Sequence, residues 1–99
     1  MDNNTLKDII EEYVYDEETL DKIIVLEGDE FADGCIGISE DNHLVYSYER
    51  LVNSLGKVYG STTDAVEWLE YNTIRSLPYM SSYGNEPLII HEFNNIGDD

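Results

Sequence analysis

The chain has 99 residues, with 22 acids against 5 bases for a formal net charge of −17, and one cysteine. That length makes one domain with a core large enough to fold without disulfides or metal. Five scattered bases cannot build the Lys/Arg face that phosphates require, so the charge argues against direct nucleic-acid binding and for a basic partner or a multivalent cation.

The first 18 residues, MDNNTLKDIIEEYVYDEE, lack a basic region followed by an apolar one, and so do not read as an export signal. No apolar run approaches the ~20 residues of a membrane span, and a lone Cys35 fits a reducing cytoplasm. Leu6, Ile9, Ile10, Tyr13 and Val14 recur at i, i+3, i+4, i+7 and i+8, which predicts an amphipathic helix over residues 4–15 with Asp8, Glu11 and Glu12 towards water. Residues 16–22, DEETLDK, open with acids suited to a helix start and predict a short second turn. Ile23 to Leu26 form a continuous apolar run ended by Glu27-Gly28. It reads as a buried strand or as a helix continuing from residue 17. Residues 27–33, EGDEFAD, read as an acidic loop anchored by Phe31.

Residues 34–60 carry the clearest pattern. Cys35, Ile36 and Ile38, the polar turn Ser39 to His43, and Leu44, Val45 and Tyr46 spell a hairpin. The period then changes: Tyr48, Leu51, Val52, Leu55, Val58 and Tyr59 mark one helix stripe, with Ser47 as N-cap and Gly60 just past its end. Ser61 to Asp64 have cap chemistry for a further helix over 63–74. Ala65, Trp68, Leu69 and Asn72 take one side of it and Asp64, Glu67 and Glu70 another. Leu77-Pro78 ends it. Pro87 to Phe93 predict a last strand, and residues 94–99 a flexible acidic tail. Together these predict an α+β domain over residues 1–93, a small antiparallel sheet of three or four strands packed against three amphipathic helices.

No catalytic constellation stands out, and no cofactor is implied. Asp29, Asp33-Gly34, Ile36 and Glu40 match part of a calcium-loop spacing, but Phe31 and Gly37 occupy positions that should give oxygens. His91-Glu92 would need a second histidine at 95, where Asn95 stands. With only His43 and His91, a histidine zinc site is not expected; His43 reads as solvated in its turn and His91 as lying on a sheet face.

What remains is the distribution of acids. Eleven lie between Asp8 and Asp33 against Lys22 alone, a net −10 in that stretch. A globule of this length is roughly 30 to 35 Å across, and duplex DNA of that length carries roughly 18 to 20 charges. The chain therefore approaches the linear charge density of DNA. The candidate partner-binding carboxylates are Glu11, Glu12, Asp16, Glu17, Glu18, Asp29, Glu30 and Asp33, with Asp64, Glu67 and Glu70 as a second stripe. A charge-rich face turned only to water is the bland reading. In a different class, acids kept for solubility would leave the contact to Tyr79, Tyr83 and Phe31.

The segments DG-x-IGISEDNHLVYSYERLV, DAVEWLEYNTIRSLPYM and PLII resemble small acidic proteins of phages, prophages and plasmids of Gram-positive bacteria, over roughly residues 29–92. EW-x-x-YNTIR-x-LPYM, Glu67 to Met80, is the most specific part. The resemblance implies a mobile-element origin and an α+β fold and assigns no catalytic residue. Small acidic proteins of such elements include anti-CRISPR proteins that block RNA-guided nucleases by imitating DNA, which suggests a basic nucleic-acid-binding protein as partner.

Overall fold

The structure, a computed structural model, describes residues 1–93. Three short helices, α1 (Asn3–Tyr13), α2 (Glu17–Lys22) and α3 (Asp29–Ala32), precede a hairpin of β1 (Cys35–Ile38) and β2 (Leu44–Ser47). Then come α4 (Tyr48–Tyr59), α5 (Thr62–Trp68), a π-helical turn (Leu69–Thr73), a 3₁₀ turn (Ile74–Ser76), α6 (Leu77–Met80) and β3 (Leu88–Ile90). The class is α+β, as the sequence predicts.

The predicted caps at Ser47 and Ser61 form, and Asp2 supplies one for α1 that the sequence reading did not name. Asp2 accepts from the Thr5 N–H at 2.7 Å, Ser47 from Arg50 at 3.2 Å and Ser61 from Asp64 at 3.1 Å, each satisfying a donor that a helix start leaves free. Gly60 closes α4 at φ 85°, a left-handed conformation that a side chain would strain. Leu51 and Leu55 of α4 are buried against Leu44 and Tyr46 of β2 and Ala65 and Leu69 beyond, so the hairpin and its helix are the centre of the core.

Among the described residues the sheet has three strands in the order β1-β2-β3, and it is mixed rather than antiparallel. β1 and β2 are antiparallel, whereas β3 runs parallel to β2, with Val45 opposite Leu88 and Ser47 opposite Ile90. The reason is the connection: residues 48–87, largely helical, separate the two strands, and a crossover of that length returns the chain to where β2 began.

The predicted strand at Ile23 to Leu26 does not form, and neither does a helix through it. α2 stops at Lys22, and the run joins the sheet region through a single bridge between Ile23 and Asn85. Its backbone groups go elsewhere: the Ile24 N–H to the Asn85 carbonyl at 3.3 Å, and the Leu26 N–H to the Tyr46 hydroxyl at 3.1 Å. Gly84 permits the approach, because a side chain there would collide with the Lys22 carbonyl.

Residues 27–33 hold a one-turn helix rather than an open loop, with Phe31 buried as the anchor. The helix predicted over 63–74 leaves α geometry at Leu69, and Leu77-Pro78 does not end it but opens α6, where proline in the first turn forfeits no bond. The wider π turn buries Thr73 and exposes Asn72, whose amide donates to the Trp68 carbonyl at 3.0 Å. The tail predicted for residues 94–99 lies outside the described residues.

Candidate partner-binding surface

The acid-rich stretch folds as three consecutive helices, of which the first and third are sewn together at one corner. The Asn3 N–H donates to Asp29 at 3.0 Å and the Asn3 amide to Glu27 at 2.9 Å, tying the start of α1 to the start of α3. The amino-terminal ammonium is held by Asp33, and Lys7 reaches Glu27 at 3.4 Å. The Asp33 carboxylate accordingly holds the ammonium in its charged form, raising its pKa through the hydrogen bond first. Asp29 and Asp33 are thus partly spent within the molecule.

The remaining candidates point outward. Glu11 and Glu12 on α1, Asp16 as N-cap of α2, and Glu17 and Glu18 in its first turn are exposed, and Glu30 is half-buried. Asp16 accepts the Thr19 hydroxyl at 2.9 Å. Between α1 and α2 runs a groove of about 600 Å³ that brings Glu11 and Glu17 together with Asp21 and Glu27, over a floor including Ile10 and Leu20. Asp21 and Glu27 are absent from the sequence-based set. The four-residue step from Glu17 to Asp21 on one helix face was the signal that could have added Asp21.

Asp64 and Glu67 on α5 and Glu70 in the π turn are also exposed. Glu70 accepts from the Tyr48 hydroxyl at 3.3 Å, and burial foremost, with that carboxylate beside it, pushes the phenol's pKa up. The two acid-bearing regions meet through aromatics: Phe31 of α3 lies 5.7 Å from Trp68 of α5, centroid to centroid, and Trp68 stacks on Tyr59 at 5.6 Å. Trp68 is therefore packed against both neighbouring rings.

Phe31 is buried and cannot serve as an aromatic contact residue, whereas Tyr79 and Tyr83 are 75% and 86% exposed. The calcium spacing does not close into a loop. Asp29 caps inward on Asn3, β1 carries Glu40 away from α3, and among the described residues no three His, Cys, Asp or Glu converge on a cation. His43 is half-buried rather than solvated, its Nδ1 2.6 Å from the Glu86 carbonyl. His91 follows β3 and donates to Glu49 at 2.7 Å. Burial raises the Cys35 thiol pKa, which disfavours the thiolate that a nucleophile needs.

No protein-family description, curated protein or solved structure matches the chain.

Proposed function

We propose that the protein is a non-enzymatic inhibitor that imitates duplex DNA, and that it blocks the Lys/Arg-lined DNA-binding site of an RNA-guided nuclease, as an anti-CRISPR protein of a mobile element does. The observation that carries this reading is charge per length. The molecule is 39 Å in its longest dimension, over which duplex DNA carries about 23 charges. Residues 1–93 carry 20 acids against 5 bases, a net −15, and so reach roughly two thirds of that density. Every described carboxylate is exposed or half-buried. Ten net negative charges fall between Asp8 and Asp33, and Asn3 ties the start of α1 to Glu27 and Asp29 at the start of α3.

Such a surface gains the counterion release that DNA gains on entering a basic channel. Where paired arginines read a DNA motif, carboxylates bidentate to them compete directly. Action in the bacterial cytoplasm belongs to the same reading. Among the described residues no helix is long and apolar enough to cross a membrane.

The test is competition. Purified protein is titrated into guide-loaded nucleases from Gram-positive hosts, and binding of a labelled target duplex is followed at several salt concentrations. Displacement of DNA that weakens steeply with salt is expected. Displacement indifferent to salt, or none from any nuclease tried, removes the proposal. One observation favours a second reading, a regulatory module that binds through aromatics: Tyr79 and Tyr83 stand almost free of the core.

A further inference from the structure

The apolar stripe of α1 is wider than the core needs. Leu6 and Ile10 are buried, but Ile9 is 37% and Tyr13 69% exposed. These residues form one wall of a second groove, of about 420 Å³, whose opposite wall is β1 with Ile36, Gly37 and Ile38. Among the described residues β1 is an edge strand, with nothing paired to its outer side.

The backbone along that edge is available. The Ser39 N–H donates to the His43 carbonyl at 2.8 Å. The alternation of an antiparallel ladder then makes Ile38 and Leu44 a non-hydrogen-bonded pair, with the Ile38 N–H and C=O turned outward. A Cβ placed on Gly37 would meet nothing within 4 Å, so the approach there is open. The bulge between Cys35 and Gly37 blunts one end of the edge and leaves Gly37 and Ile38 regular. An exposed strand edge faced by apolar helix residues is the arrangement that accepts an extended peptide as an added strand. β1 spans about 13 Å, enough to pair roughly four residues.

Charge decides the occupant. Glu12 borders Ile9 one turn along α1, Glu40 and Asp41 occupy the turn beyond Ile38, and Asp2 lies beside Met1; all four are exposed. The ammonium at one end of the groove is already held by Asp33. A second copy would bring another −17 to the same surface and be repelled. We propose that this groove takes an extended basic segment of a partner protein as a fourth strand on β1. Its apolar side chains face Ile9 and Tyr13, and its Lys/Arg face Glu12, Glu40 and Asp41. Apart from Glu12 the surface is separate from the DNA-like acids, and strand pairing on β1 is read independently of DNA displacement, so either can fail without the other.

The experiment uses the full chain and a nine-residue peptide of alternating valine and threonine between lysine pairs. Main-chain pairing makes such sites tolerant of sequence, so this probe is a fair one. Hydrogen exchange at the Ile38 amide is followed by NMR as peptide is added, up to millimolar. Slowing of at least tenfold is expected. It should be lost when alternate peptide amides are N-methylated, and lost in Tyr13→Lys, which sets a positive charge on the exposed groove wall against the lysine-bearing peptide. Ile9→Lys, on the same wall, should also abolish it, and covers the case that the first variant fails to fold. No slowing at Ile38, slowing that survives N-methylation or both variants, or a dimer formed through β1 in sedimentation overturns the proposal.

Discussion

The hydroxyl of Tyr46, buried in the middle of β2, accepts the backbone N–H of Leu26 at 3.1 Å. Burial foremost pushes the Tyr46 pKa far up, so the phenol stays protonated. The bond gives an otherwise strandless apolar run its attachment to the sheet. Tyr46→Phe keeps the packing and leaves that N–H buried without a partner, which costs about 1 to 3 kcal/mol. For a domain of this size the melting temperature should fall by roughly 4 to 8 °C per kcal/mol. Thermal unfolding by circular dichroism checks this, and a variant that melts like wild type shows that water has replaced the hydroxyl.

The same contact explains one limit of the sequence. Ile23 to Leu26 read as a strand because four consecutive apolar residues look like one. Nothing local revealed that their hydrogen-bond partners would be a tyrosine hydroxyl and Asn85. The segment from Cys35 to Gly60 was legible because its signals are local: a period of two, a polar turn, a period of 3.6, then Ser47 and Gly60 as punctuation. Strand direction was not, since alternation tells which face is buried and says nothing of polarity. The acids of the candidate surface were legible as a run. Which of them serve the fold was not, because Asn3 binding Asp29, and the amino terminus binding Asp33, join residues far apart in sequence.

Phe31 links the acid-bearing helices to the rest of the molecule through Trp68. Truncation to alanine should cost about 3 to 5 kcal/mol, a large share of the 5 to 15 kcal/mol that holds a domain together. Phe31→Leu should cost less than about 1.5 kcal/mol. Trp68 is the chain's one tryptophan, so urea unfolding followed by its fluorescence reports the contact directly. An alanine variant that unfolds at the wild-type midpoint would show that the ring carries no packing of its own.

Acid should loosen the end of the sheet. Glu49 accepts from His91 at 2.7 Å and from the Glu92 N–H at 2.7 Å, while Arg50 donates to Glu92 at 2.7 Å. The His91 bond is the main cause holding the Glu49 carboxyl below its ordinary value, and the Arg50 bond does the same for Glu92. A carboxyl whose pKa is depressed on folding stabilises above its unfolded value, about pH 4.5 here, and loses that contribution as pH falls through the folded value. Glu49→Gln lacks the effect. Its urea midpoint should lie below wild type at pH 6 and converge with it towards pH 3. A gap that stays constant over that range would show that Glu49 acts through packing alone.

The two functional readings separate by substitution, and the structure dictates which acids to use. Asp29 is a poor choice for charge reversal, because losing its bond from the Asn3 N–H loosens the α1 and α3 corner as well as the charge. Glu17 and Glu18 are exposed and Glu30 half-buried, and no bond between these side chains and other elements is seen among the described residues. Glu17→Lys, Glu18→Lys and Glu30→Lys combined change the surface by six charges and should leave the melting curve close to wild type. If each acid meets a base on the partner, a charge-assisted bond of about 1.5 to 3 kcal/mol is lost at each. Affinity should then fall at least a hundredfold, and the dependence on salt should become shallower. Tyr79→Ala with Tyr83→Ala should leave that affinity within about threefold. The reverse pattern, with the triple lysine variant binding normally and the tyrosine pair failing, would transfer the contact to the aromatic face, where a truncated hot-spot tyrosine costs about 2 kcal/mol or more.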